Sequence, residues 1–183
     1  YIYLDTDERR RFAQVSHEYL IEQVQLQTFT GSASGGTLKL NFNHPVKELV
    51  WGGFGSRTWG EKQTDAGKFL SMIASADWST STWQLKLNGH DRFEKQSLDY
   101  FTRYQIYKYH TGFGGNQEYD SLAVYSFALK PEEHQPSGTC NFSRIDNAQL
   151  IYTDSGSVTG NLHIYAVNYN VLRIMSGMGG LAY

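Results

Sequence analysis

The feature that most limits how this chain can fold is a side-chain alternation of period two that recurs along its length. Val24 and Leu26 alternate with Gln25 and Gln27. Leu38, Leu40 and Phe42 alternate with Lys39 and Asn41, and Trp83, Leu85 and Leu87 with Gln84, Lys86 and Asn88. Successive side chains of a strand point to opposite faces, so each run predicts a strand with one face in a core and one in water. Glu48–Trp51, between Pro45 and Gly52-Gly53, and Gln149–Tyr152, before the turn residues Asp154-Ser155-Gly156, read as two more strands. Leu122–Leu129 is apolar on both faces. Leu162–Met175 is long and β-rich, with Tyr165, Val167, Tyr169 and Val171 on one side. Both are expected to be central strands covered on both sides.

Helical signals are few. In Asp5–Ala13, Asp5 is placed to cap a short helix and Glu8 follows three residues later, as in a capping box. Gln96–Tyr109 reads as a helical turn around Leu98, Phe101 and Tyr104-Gln105, followed by an extended piece. About eight strands joined by irregular, glycine-rich connections, with no long amphipathic helix, predict an all-β fold: an antiparallel eight-stranded jelly-roll sandwich with short helices in its loops. The expected division is a linker with a short helix over 1–20 and one jelly-roll domain over 21–183. Because the chain opens on Tyr1 and shows no leader-like stretch, it is expected to be a fragment or a processed product. The 52–77 excursion is long enough to carry contacts or function.

The chemistry available is sparse. A formal charge of −2 argues against general nucleic-acid binding, which calls for a basic face. With Cys140 as the lone cysteine, no intrachain disulfide forms. The six histidines, His17, His44, His90, His110, His134 and His163, show no ligand spacing, so no metal or other cofactor is expected. A cupin-like site assembled from distant histidines stays open as an alternative. So does a carbohydrate-binding platform on tyrosines with Trp59 and Trp78, the tryptophans in the long excursion and at its end. Trp51 and Trp83 sit at apolar strand positions and are expected in the core. The clusters Gly52-Gly53-Phe54-Gly55 and Gly177-Met178-Gly179-Gly180 lack a strand–GxGxxG–helix context and read as turns or close backbone approaches. No catalytic residue emerges. Asn141-Phe142-Ser143 has the form of an N-glycosylation sequon, a tripeptide common by chance.

Two C-terminal blocks go further than periodicity. Phe127-Ala128-Leu129-Lys130-Pro131-Glu132-Glu133-His134-Gln135-Pro136-Ser137-Gly138-Thr139-Cys140-Asn141-Phe142-Ser143-Arg144-Ile145-Asp146 and Tyr165–Tyr183 resemble the end of the major capsid protein of nucleocytoplasmic large DNA viruses. Leu4–Gln14 is similar to that family's interdomain segment, and Asn88–Phe93 to a motif that follows one of its strands. The resemblance implies the C-terminal half of a double jelly-roll protein and a structural role without catalysis. It implies homotrimeric capsomers of pseudo-hexagonal outline, tiled into an icosahedral shell above an internal viral membrane. The implied partners are neighbouring capsomers and minor capsid proteins, with no direct contact to nucleic acid. The implied location is the virion, with assembly in the host cytoplasm, where Asn141 would not meet the glycosylation machinery. Trp59, Trp78, Arg144 and Gly179 are the expected subunit contacts. A paralogous minor capsid protein is the nearest rival reading.

Overall fold

A computed structural model describes residues 3–30, 35–55, 81–112, 122–153 and 160–182. Helix α1 (Thr6–Gln14) comes first, with the Asp5 carboxylate as its cap accepting the Thr6 N–H at 2.7 Å. The strands are β1 (His17–Thr30), β2 (Gly36–Leu40), β3 (Pro45–Gly55), β4 (Thr82–Leu87), β5 (His90–Ser97), β6 (Ala123–Ser126), β7 (Cys140–Asn141), β8 (Ala148–Thr153), β9 (Gly160–Met175) and β10 (Met178–Leu181). A π-helical turn at Tyr100–Tyr104 runs into helix α2 (Gln105–Tyr109).

Two sheets result, one in the order β1-β9-β3-β6 and one in the order β2-β8-β4-β5. All pairs are antiparallel. The pairings are nested: β1 with β9, β2 with β8, β3 with β6, β4 with β5. A long hairpin rolled up on itself gives this pattern, so the eight main strands form a jelly roll. The innermost turn is Asn88-Gly89, both at positive φ (51° and 82°). A two-residue hairpin of this twist favours that dipeptide. The short β7 lies on β3, and β10 lies on the part of β9 beyond β3.

The core between the sheets is aromatic. Trp51 and Trp83 are fully buried with rings 5.6 Å apart; Phe101 lies 5.1 Å from Trp51, and Tyr152 lies 5.1 Å from Trp83. Leu49, Leu85, Leu150, Leu162 and Ile164 fill the remainder. Burying a side chain of this size contributes about 1.5–3 kcal/mol, so the cluster is the main source of stability.

Several expectations shift in detail. β1 starts at His17, so the boundary expected at residue 20 falls inside a strand. Glu18, Tyr19 and Leu20 are all exposed there, and without a buried face the alternation has no cause. After the expected helical turn, Ile106–Tyr109 continues as helix rather than extended chain, because Leu98, Phe101, Thr102 and Gln105 bury one helical face. β6 is buried at every residue, as expected, yet among the described residues it pairs only with β3. Its cover comes from α2 and the π-helical turn. β9 is central, but Leu162, Ile164 and Ala166 face the core, while Tyr165 and Val167 lie on the opposite, half-buried side.

Candidate assembly surface

β1 is inside out. Its apolar residues Leu20, Val24 and Leu26 are 53%, 63% and 51% exposed, while Gln23, Gln25 and Gln27 turn inward with Phe29. The inward glutamines are used. The Gln25 amide donates to the Asn43 carbonyl at 2.7 Å and to Asn168 Oδ1 at 3.1 Å, and its Oε1 accepts the Asn43 N–H. Gln27 Oε1 accepts the Asn41 N–H at 2.9 Å, and Gln23 Oε1 accepts from the Asn170 amide at 3.0 Å. The bonds to Asn41 and Asn43 satisfy backbone of the β2–β3 connection that runs past β1 without pairing to it, and the other two join side chains of β9. Backbone groups that no neighbouring strand pairs take such partners, so this half-buried face favours amides over aliphatics.

The outer face is correspondingly apolar. Register places Leu20 beside Val171, Val24 beside Val167 and Leu26 beside Tyr165, and β3 adds Val50 beside Tyr165. Two pairs of opposite charge on this face form within the chain. Lys47 is buried at a β-bulge, its Nζ 2.8 Å from Glu22 Oε1 and 5.6 Å from the centre of the Tyr169 ring. Burial among these groups raises the Tyr169 phenol. At one end of the face, the Arg173 guanidinium donates to Glu18 at 2.6 and 2.8 Å. An apolar stripe bordered by satisfied polar groups has the anatomy of a protein–protein interface.

The residues singled out from sequence are dispersed. Trp59 and Trp78 lie outside the described residues. Arg144 is exposed in the 3₁₀ turn Phe142–Arg144. Gly179 is exposed on β10, where an added Cβ would meet only the Ile174 side chain, at 3.9 Å. Gly177 (φ 77°), with Ser176 (φ 52°), forms the two-residue turn into β10. Gly138 is a required glycine: at φ 144° a Cβ would lie 2.9 Å from the Phe127 carbonyl oxygen. Asn141 and Ser143 have local structural work. Asn141 Oδ1 accepts the Ser143 N–H, and Ser143 Oγ accepts the His44 N–H at 2.8 Å. Cys140 lies half-buried opposite Val46, and burial pushes its thiol pKa up. Among the described residues no three His, Cys, Asp or Glu side chains are grouped to hold a metal.

The comparisons with known proteins decide the family. The profile of the large eukaryotic DNA virus major capsid protein matches residues 8–180. This chain belongs to that family. It is 51% identical over 204 residues to the major capsid protein of Pyramimonas orientalis virus, covering 100% of this chain and 47% of that one. It is 41% identical over 232 residues to the major capsid protein of Paramecium bursaria Chlorella virus 1, covering 100% and 52%. A quasi-atomic structure of the PBCV-1 capsid superimposes with a TM-score of 0.78 at 37% identity, covering 100% of this chain and 55% of that one. The chain thus spans about half the length of these relatives. They are structural capsid proteins and components of the virion rather than enzymes, as the sequence blocks imply.

Alternation alone points Val24 and Leu26 of β1 to the core, the opposite of where the structure places them. One signal was available: three glutamines at alternate positions, with no charge among them, form an unusual row for a solvated face.

Proposed function

We propose that this chain is the C-terminal jelly-roll domain of a capsid subunit, and that its outward apolar β1–β9 face packs against another copy of the subunit in a trimeric capsomer. The observation that carries this is the exposure of Leu20, Val24 and Leu26 on a strand whose polar side is turned inward and bonded. A second copy is the favoured occupant for two reasons. The Lys47–Glu22 and Arg173–Glu18 charges are already paired within the chain, so the surface asks for apolar cover rather than an oppositely charged partner. The related structure is that of an assembled capsid. Burying such a surface under closed symmetry fixes the number of copies.

Trimers of pseudo-hexagonal outline would then tile an icosahedral shell above an internal membrane. Minor capsid proteins would lie beneath, assembly would take place in the host cytoplasm, and nucleic acid would not be touched. Trp59, Trp78, Arg144 and Gly179 are proposed as further contacts.

The test is Val24→Asp and Leu26→Asp in the full-length subunit, followed by sedimentation velocity. Folded monomers in place of trimers are expected. Trimers in undiminished yield would remove this face from the interface.

A further inference from the structure

A second constellation lies at the border of the same sheet and serves no role described above. His110, at the C-terminal cap of α2, stands between two carboxylates. Its Nε2 is 3.3 Å from Glu48 Oε2, and its Nδ1 is 3.3 Å from Glu132 Oε1. Glu48 belongs to β3, and Glu132 to the surface segment that follows β6. Both Glu48 Oε2 and His110 Nε2 are buried, and neither makes a well-directed hydrogen bond. Glu132 is held in addition by the neighbouring residue: the Thr111 N–H donates to Oε1 at 3.0 Å and the Thr111 hydroxyl to Oε2 at 2.6 Å. Three parts of the chain, distant in sequence, meet at one imidazole.

We propose that His110 is a pH-sensitive latch that fastens the surface segment around Glu132 to β3. The argument is one of valence. A neutral imidazole has one N–H and one lone pair, so one of its nitrogens would present a lone pair to a carboxylate. Only the imidazolium offers a proton to each side. The segment is therefore held by two ion pairs when His110 is charged, and by the Thr111 bonds when it is not.

The charged groups facing His110 among the described residues are Glu48 from β3 and Glu132 from the segment itself. On its own helix, Lys108 lies over the rings of Tyr104 and Tyr109. The Glu48 carboxylate, then Glu132, holds the imidazole above the usual histidine value of 6.5, against the opposing effect of burial. Thr111, and after it His110, holds the Glu132 carboxyl below the usual 4.5. The signs fix the window. A raised histidine gives its full contribution below 6.5 and loses it as the pH climbs through the raised value. A depressed carboxyl gives its contribution above 4.5 and loses it as the pH falls through the lowered value. The latch is complete between these limits and opens on the alkaline side through His110.

Its position has a consequence for the sheet. The register row Val24, Val167, Glu48, Ser126 joins the apolar face to the latch, so opening it alters the edge of that face. The latch itself does not depend on the assembly reading.

The test is a histidine titration by NMR on the native chain and on Glu132→Gln, combined with amide exchange at Thr111 and Lys130 corrected for intrinsic rates. Glu132 is on the surface, so the variant retains the fold. His110 is expected to titrate above 6.5 in the native chain and at least half a unit lower in the variant. Protection at Thr111 and Lys130 is expected to fall about tenfold between pH 6 and pH 9 in the native chain and to be flat in the variant. A His110 midpoint at or below 6.5, or an equal pH dependence in both proteins, would overturn the proposal.

Discussion

β1 and β2 are consecutive strands with the same kind of alternation, and they use it in opposite ways. In β2, Leu38 and Leu40 are buried and Lys39 is exposed. In β1, Val24 and Leu26 are exposed and Gln23, Gln25 and Gln27 face inward. The difference lies in what each inner face meets. β2 faces other side chains across the sandwich. β1 faces the unpaired backbone around Asn41 and Asn43, which needs donors and acceptors. Alternation shows that a strand has two unlike faces; the partners available decide which one is inside.

Substitutions can break this contrast. The largest effect is expected in β2, where Leu40→Ala removes a buried side chain and should cost about 2–4 kcal/mol in chemical denaturation. Next is Glu22→Ala, which strips the partner from buried Lys47 and should cost about 2 kcal/mol, with a smaller loss for Glu22→Gln. Gln25→Leu tests the inversion most directly. It increases hydrophobicity on the inner face yet removes the partner of the Asn43 N–H and carbonyl, so a loss of about 1 kcal/mol is expected. A stabilised Gln25→Leu protein would show that the inner face of β1 is apolar in effect. Leu26→Ala should change the stability of the isolated chain by no more than about 0.5 kcal/mol, because the residue is exposed there. The same substitution should weaken capsomer formation in the full-length subunit, measured as the concentration at which trimers dissociate.

Much of the fold was legible because burial and alternation coincide in most strands. β2 and β4 bury Leu38, Leu40, Trp83 and Leu85 where the alternation puts them, and Trp51 is in the core as expected. β5 was harder to read: His90–Ser97 is largely exposed, and only the Asn88-Gly89 turn announces a returning strand. Hydrophobicity alone points β1 the wrong way, because backbone satisfaction sets its orientation. The His110 latch had no local sign. Glu48, His110 and Glu132 come from separate parts of the chain, and only the sheet pairing brings them together. The resemblance blocks named the family, and neither of those two arrangements.

The nested pairing also fixes an order of events. Glu18 and Arg173, joined across β1 and β9, are 155 residues apart in the chain. Contacts this distant must close a long loop before they return any energy, which slows folding. On the ribosome β1 emerges before β9 and waits for it, its apolar stripe and open edge in need of shelter while the strands between them are made. Zipping β9 between β1 and β3 completes the sheet that presents the stripe. The face that carries the stripe is therefore finished only once nearly all of this domain has been made.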